Sequence, residues 1–296
     1  MLSPYLTHIL ILIGIYAILG MSLNLSIGFT GLLNLGHIAF FGIGAYTSAL
    51  LVLGGILYLP PLPFWLAFVL AGLLAAVFGG LLMLAVRNIK GDYLALVTLG
   101  FSFVAYSVFL NWTELTRGPL GIPGIPKPEV FGLVIRSSEA YLVLVLVVAG
   151  LSWLLLRWLT NSPYGRELAA VRDDELAASV LGKPVFARQV QSMMFAAGLA
   201  GLAGSLFAHY LTYIDPSSFF LSDIILVLTI VMIGGLASLR GSIVAAAIIL
   251  LIPELLRFVG LPSAIVGPMR QILYAALLIS VLLIKPRGLF GKVDLA

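Results

Sequence analysis

A short segment in the second half of the chain combines acidic and apolar side chains in a pattern typical of a helix, and its sequence is Asp173-Asp174-Glu175-Leu176-Ala177-Ala178-Ser179-Val180-Leu181-Gly182. Asp173 is suited to accept hydrogen bonds from the free amides of a first turn, and Gly182 can take the left-handed conformation that ends a helix. We therefore predict a short helix over residues 173–181, with Leu176 and Val180 on one apolar face. Such a helix either presses into the groove of a partner protein or packs on the ends of the chain's own helices.

A second group of polar residues, Asn24, Asn34 and His37, lies in a stretch without formal charge near the start of the chain. Glycines interrupt this stretch, and a broken helix offers free backbone groups to a polar solute. We therefore predict that these three residues line a translocation path for a zwitterionic solute. The alternative is close helix packing, with every polar group bonded inside the bundle. Two glycine-containing stretches, 31–36 and 235–241, look faintly alike, which fits either an internal repeat or chance, because glycine and leucine are common throughout the chain.

Other chemistry has weaker support in the sequence. The chain has no cysteine, which excludes disulfides, thiolate metal ligands and cysteine nucleophiles. Ser102 and His209 are a conceivable nucleophile and base for an intramembrane serine protease, although such a pair occurs in most chains of this size. Neither Gly-Lys pair continues into the serine or threonine that ends a phosphate-binding loop. We expect no catalytic site, metal site or nucleotide site.

The composition indicates that lipid surrounds most of the chain. Of the 296 residues 61% are hydrophobic and 9% are charged, whereas soluble domains carry about 25% charged residues. The first charged residue is Arg87, and a crossing helix needs about 20 residues. We therefore predict an all-α, polytopic transmembrane bundle of about nine spans, within a range of roughly eight to ten. The apolar stretches are 5–24, 31–53, 62–86, 93–111, 140–160, 189–211, 221–236, 242–258 and 267–284.

The distribution of lysine and arginine predicts the orientation of the bundle. If the spans alternate, 11 of the 16 basic residues fall on one side. This bias places the loop 157–188 and the C-terminus in the cytoplasm, and the N-terminus and the loop 112–139 outside. We expect one transmembrane domain, residues 1–296, in the inner (plasma) membrane. The net charge of +4 suits loops beside anionic lipid, and there is no basic face for nucleic acid.

Several motifs along the chain resemble the LivM-type branched-chain amino acid permeases of ABC importers. Glu175-Leu176-Ala177-Ala178 followed by Gly182 is similar to the coupling-helix motif of importer permeases, with Leu176 at a position where that motif has alanine. The other matching segments are Gly31-Leu32-Leu33-Asn34-Leu35-Gly36-His37, Leu115-Thr116-Arg117-Gly118-Pro119-Leu120-Gly121-Ile122, Asn161-Ser162-Pro163-Tyr164-Gly165-Arg166, Arg172-Asp173-Asp174-Glu175 and Lys285-Pro286-Arg287-Gly288-Leu289-Phe290.

The resemblance implies an importer in which this chain pairs with a LivH-like permease. It also implies two cytoplasmic ATPase subunits, which bind the ATP, and an extracytoplasmic solute-binding protein. Members of the family carry branched-chain amino acids, other amino acids and amides, or urea, so a urea or amide permease is an alternative. An ion-coupled secondary transporter would normally need an ionisable residue at mid-membrane, and the first 86 residues offer only His8 and His37. The residues that the resemblance assigns to ATPase coupling are Arg172, Asp173, Asp174, Glu175, Ala178 and Gly182.

Overall fold

The computed structural model describes residues 4–54, 60–89, 91–130, 133–258, 263–285 and 287–291. These residues are mostly helical, because a helix satisfies the backbone groups of an apolar segment within the segment itself. The helices are α1 (Pro4–Asn24), α2 (His37–Leu53), α3 (Phe64–Ala85), α4 (Asp92–Asn111), α5 (Thr113–Thr116), α6 (Ser138–Asn161), α7 (Pro163–Asp173), α8 (Glu175–Val180), α9 (Val185–Leu211), α10 (Leu221–Gly234), α11 (Leu239–Phe258) and α12 (Ser263–Ile284).

Short irregular elements connect the helices. A π-helical turn (Leu25–Phe29) continues α1, and 3₁₀ turns lie at Gly118–Leu120 and Pro216–Phe219. Four two-residue strands form two antiparallel pairs, β1 with β4 and β2 with β3. Their bounds are β1 (Ile122–Pro123), β2 (Glu129–Val130), β3 (Leu133–Val134) and β4 (Tyr213–Ile214). Within the predicted loop 112–139, β1 is held beside the C-terminal end of α9 by its pairing with β4.

The all-α transmembrane class predicted from the composition is confirmed. Six helical segments among the described residues are long and apolar enough to cross a membrane: Pro4–Phe29, Phe64–Ala85, Asp92–Asn111, Ser138–Asn161, Val185–Leu211 and Pro216–Gly234. Three shorter apolar helical segments, His37–Leu53, Leu239–Ile252 and Gly267–Val281, coincide with the other predicted stretches. Nine crossings therefore remain a prediction.

α1 is the central helix of the bundle and packs against α6, α9, α10 and α11. The closest helix packing is among α2, α3 and α9, where small residues let the backbones meet. A Cβ on Gly44 would clash with the backbone of Gly201, and a Cβ on Gly204 would clash with the carbonyl of Phe41. The small residues of α9, among them Gly201 and Gly204, thus form a packing surface inside this chain. In contrast, α3, α4 and α6 expose many large apolar side chains, as lipid-facing helices do.

Candidate functional site

The first of two interruptions in the bundle lies between α1 and α2, at residues 25–36, and we call it the first break. The chain leaves the π-helical turn through Gly31, whose φ of +77° strongly favours glycine. The predicted stretch 31–53 therefore becomes helical only at His37. Asn34 holds the end of the break, because its Oδ1 accepts a hydrogen bond from the amide of Gly36 at 3.0 Å.

The second break, residues 235–238, separates α10 from α11, and Asn24 joins it to the end of α1. The buried Asn24 Nδ2 donates to the carbonyl of Gly235 at 3.0 Å and to Ser242 Oγ at 2.8 Å, and its Oδ1 accepts the amide of Ala237 at 2.9 Å. Gly235 (φ +98°) and Ala237 (φ +58°) both have left-handed backbones. One side chain therefore satisfies polar groups that the interruption of a helix leaves free.

His37 and Asn34 are also buried and bonded within the chain. Asn34 Nδ2 lies 3.3 Å from His37 Nδ1, and His37 Nε2 lies 2.8 Å from Ser22 Oγ. This arrangement fits a neutral imidazole whose proton is on Nε2, since Ser22 Oγ in turn donates to the carbonyl of Leu19 at 2.8 Å. In this conformation Asn24 thus joins the end of α1 to the second break, whereas Asn34 and His37 join the end of the first break to α1 through Ser22. Their place on a translocation path stays a prediction.

The segment 157–188 forms two short helices at the end of the bundle where both breaks lie. Ser162 precedes α7 and Pro163 begins it, as the sequence predicts. The predicted cap of the second helix is wrong: Asp174, not Asp173, precedes α8, and its Oδ1 accepts the amides of Leu176 at 2.8 Å and Ala177 at 3.0 Å. Asp173 is the last residue of α7 and pairs with Arg172, which leaves Asp174 to adopt the extended backbone of a cap.

α8 has one face bound to the bundle and another that is free of it. Ala178 is buried, and Glu175 Oε1 accepts a hydrogen bond from Gln189 Nε2 of α9 at 2.6 Å. Leu176, Val180 and Leu181 are 73%, 86% and 77% exposed. We call these three residues the apolar ridge. Gly182 ends the helix with a φ of +75°, the left-handed conformation predicted for it.

Arg172 connects α7 to the first break. Its Nη1 donates to the carbonyl of Gly28 at 3.0 Å, and its Nη2 lies 2.7 Å from Asp173 Oδ1. A Cβ on Gly31 would come within 3.0 Å of the Arg172 side chain, so the break approaches α7 closely. The guanidinium therefore satisfies a carbonyl oxygen at the π-helical turn where α1 ends.

Glu167 fixes α7 to the chain that follows α8. Its carboxylate accepts hydrogen bonds from Lys183 Nζ at 3.1 Å and from Arg188 Nε at 2.6 Å. The bonds from Lys183 and Arg188 lower the pKa of the Glu167 carboxyl from its ordinary value of 4.5. On the same helix, burial raises the pKa of the Tyr164 hydroxyl to about 12. α7 is thus bonded to residues that follow α8, and α8 itself is bonded to α9 through Glu175.

The C-terminal motif packs on the second break, and composition and periodicity did not predict this contact. The amide of Leu289 donates to the carbonyl of Ile233 at 2.8 Å, and the amide of Phe290 donates to that of Gly234 at 3.1 Å. Gly288 turns the chain with a φ of +69°. A glycine-containing turn so soon after an apolar helix was the available signal in the sequence. The C-terminal motif therefore lies at the same end of the bundle as the two breaks and the segment 157–188.

Of the two residues considered for hydrolysis, His209 lies at the opposite end of the bundle and Ser102 lies beside the first break. His209 Nδ1 donates to the carbonyl of Pro126 at 2.8 Å, and Ser48 Oγ lies 2.9 Å from His209 Nε2. Ser102 Oγ instead lies 3.4 Å from the carbonyl of Leu35. The serine and the histidine are therefore engaged in separate contacts and do not form a nucleophile–base pair.

A cavity of about 390 Å³ lies at this opposite end, among α1, α9, α10, α11 and α12. Two carboxylates, Asp223 and Glu254, contribute to its wall. Tyr16 Oη lies 3.4 Å from Asp223 Oδ1, and Tyr5 Oη donates to the carboxylate of Glu254. Two acidic side chains therefore line this cavity between helices that are otherwise mostly apolar.

Comparison with known proteins assigns this architecture to a family. Residues 5–282 match the family described as branched-chain amino acid transport system / permease component. The chain is 39% identical over 267 residues to the high-affinity branched-chain amino acid transport system permease protein LivM of Salmonella typhimurium, and 38% identical to LivM of Escherichia coli. Each alignment covers 82% of this chain and 61% of the relative, so the chain spans about three fifths of these relatives' length.

The chain is also 24% identical to the LivH permease of Salmonella typhimurium, over 94% of its own length and 91% of that relative. No solved structure matches the chain. The family match covers far more than half of the sequence, and it includes both breaks and the segment 157–188. The chain belongs to the family of branched-chain amino acid transport system permease components.

Proposed function

We propose that this chain is a transmembrane permease subunit of an ABC importer that moves branched-chain amino acids across the plasma membrane. The observation that carries the proposal is the apolar ridge of α8, because exposed leucine and valine side chains outside the lipid mark a surface that a partner covers. The partner proposed for this ridge is an ABC ATPase, which would bind and hydrolyse the ATP. The similarity to the LivM permeases supports the assignment.

The contacts behind the ridge suggest how movement of the ATPase would reach the membrane. A displacement of α8 acts on α9 through the hydrogen bond between Glu175 and Gln189. It acts on α7 through the bonds of Glu167, and α7 contacts the first break through Arg172. Asn24 then passes the displacement to the second break. We propose that the two breaks are the elements that change between inward-facing and outward-facing conformations.

The proposed assembly contains a LivH-like second permease, two ATPase subunits and an extracytoplasmic solute-binding protein. The charge bias supports an orientation with segment 157–188 and residues 285–291 in the cytoplasm, and with residues 112–139 outside. In this orientation the polar cavity that contains Asp223 and Glu254 faces the side from which solute arrives. We propose residues 1–296 as one permease domain.

Reconstitution tests the transport function directly. The chain is reconstituted in proteoliposomes with its LivH-like partner, the ATPases and the solute-binding protein, and ATP hydrolysis and uptake are measured. We expect leucine, isoleucine or valine to stimulate both. Stimulation by urea or an amide alone would support the alternative substrate class and contradict the branched-chain assignment.

The apolar ridge is tested with the double variant Leu176→Asp and Val180→Asp. We expect the variant permease to insert normally but to lose the ATPase during copurification, because two carboxylates cannot enter an apolar groove without a large desolvation cost. Leu120→Asp is the matched control, since Leu120 is 80% exposed at the other end of the bundle. Undiminished ATPase association of the double variant would contradict the docking role of α8.

A further inference from the structure

A second polar cavity lies at the end of the bundle that carries α7 and α8. Its volume is about 500 Å³, and it is formed by the last two turns of α6, the end of the π-helical turn in the first break, the second break and the start of α11. The polar side chains and the tryptophan that line it are Trp153, Arg157, Thr160, Asn161, Ser238 and Arg240. The cavity is distinct from the apolar ridge, and the coupling contacts described above do not use its two arginines.

The charged residues that line this cavity, among the residues that the structure describes, are both basic. Arg157 and Arg240 are its only charged lining residues among those that the structure describes. Within the described ranges, no carboxylate lies within ion-pair distance of either guanidinium, whereas Arg172 and Arg188 in the neighbouring segment are both paired. Two unpaired guanidinium groups on one cavity are suited to bind a phosphate, since each can donate two parallel hydrogen bonds.

The backbone favours the same kind of ligand. α11 begins at Leu239, and Leu239 and Arg240 of its first turn belong to the cavity wall. The first turn of a 20-residue helix adds partial positive charge, and no acidic residue lies in this turn to offset it. Asn161 supplies a further hydrogen-bond donor from α6, whereas the Thr160 hydroxyl donates to the carbonyl of Arg157 at 3.4 Å. The side chains and the helix end therefore all favour an anion.

The surroundings favour an anion that carries acyl chains. Arg157 lies 4.9 Å from the ring of Trp153, and an indole at a helix end is typical of the membrane interface. From Trp153 toward the middle of the membrane, α6 exposes Gly150 and Leu146, and a Cβ on Gly150 would meet no neighbour within 4 Å. An acyl chain lying along this face would cover the apolar surface of α6 directly beside the two arginines.

We propose that this cavity binds an anionic phospholipid, with its phosphate between Arg157 and Arg240 and an acyl chain along α6. The lining also includes Phe29, at the end of the π-helical turn in the first break, and Ala237 in the second break. A bound lipid would therefore brace both breaks from the membrane side. Anionic lipid then stabilises the end of the bundle where the coupling contacts lie, independently of the solute that the transporter carries.

Native mass spectrometry of the whole chain in detergent tests the proposal. The protein is titrated with phosphatidylglycerol, cardiolipin, phosphatidylcholine and inorganic phosphate. We expect one or two anionic lipids to be retained and phosphatidylcholine to be lost. Equal retention of phosphatidylcholine would overturn the proposal, as would displacement of the lipid by millimolar inorganic phosphate, which would identify a site for a soluble anion.

A charge-matched pair of variants locates the lipid. We expect Arg157→Gln with Arg240→Gln to lower lipid retention at least tenfold, while Arg87→Gln with Arg166→Gln removes the same charge from the same region and retains the lipid. If the first double variant does not fold, the single variants Arg157→Gln and Arg240→Gln replace it, each with a smaller loss expected. Equal lipid retention by the test and control variants would overturn the proposal. So would loss of ATPase association with lipid retention unchanged, because the arginines would then belong to the ATPase interface.

Discussion

The guanidinium of Arg172 donates a hydrogen bond to the carbonyl of Gly28 at 3.0 Å, although the two residues are 144 positions apart in the chain. This bond brings the end of α7 into contact with the π-helical turn that follows α1. The turn leaves backbone carbonyls without their usual helical donors, and the arginine supplies one. A segment outside the lipid is therefore bonded directly to the interruption of the most central helix.

Replacing Arg172 tests whether this bond transmits motion. We expect Arg172→Gln to keep the ATPase bound but to lower solute uptake per ATP hydrolysed by about tenfold, since a hydrogen bond from a charged donor contributes roughly 1.5–3 kcal/mol. Uptake and hydrolysis are measured together in proteoliposomes. Arg166→Gln, on the exposed side of the same helix, is the control. An unchanged transport-to-hydrolysis ratio in Arg172→Gln would show that the contact is only structural.

Asn24 is expected to matter for stability because its side chain satisfies groups in the second break. Asn24→Leu would leave the amide of Ala237 buried without a partner, at a cost of roughly 1–3 kcal/mol. Thermal unfolding in detergent would show a lower midpoint for this variant. Asn111→Leu is the matched control, because Asn111 is exposed and its side chain donates within its own helix, to the carbonyl of Ser107. Similar losses in both variants would refute the specific role of Asn24.

The two adjacent aspartates have different roles, because Asp174 caps α8 and Asp173 does not. Asp174→Ala removes the acceptor for the amides of Leu176 and Ala177, and loss of such a cap costs about 0.5–2 kcal/mol. We expect faster hydrogen exchange at those two amides. Asp173→Ala leaves this acceptor in place, so exchange in α8 should stay slow. The reverse order of effects would contradict the assignment of Asp174 as the cap.

Glu167 makes the attachment of α7 dependent on pH. Its pKa is lowered in the folded chain, so its contribution to stability is fully present above the unfolded value, near 4.5, and is lost as the pH falls through the folded value. Protection of residues 163–188 from proteolysis should therefore be constant from neutral pH down to the ordinary carboxyl range and then decrease. Glu167→Gln should reduce protection at neutral pH and abolish this acid-dependent step. A decrease already complete near pH 6 would point to another group.

Some features of the site follow from signals that act within a few residues. Pro163 begins α7 because proline lacks the amide that a first turn leaves free, and Gly182 ends α8 because the left-handed conformation is easy only for glycine. The choice between Asp173 and Asp174 could not be made in the same way. Both candidates are aspartates, which a local pattern cannot tell apart, and in the folded chain α7 continues through Asp173, which pairs with Arg172.

The sequence by itself determined the class of fold, because long uncharged stretches have no stable state in lipid other than a helix. It also placed the short helix and its glycine end, and its motifs indicated the permease family. Only the tertiary structure decided what the polar residues bond to. The partners of Asn24 lie as far as 218 positions away, and no local pattern encodes such a distance. Packing of α1 against α10 and α11 brings the two breaks together, and that packing depends on the shape of the whole bundle.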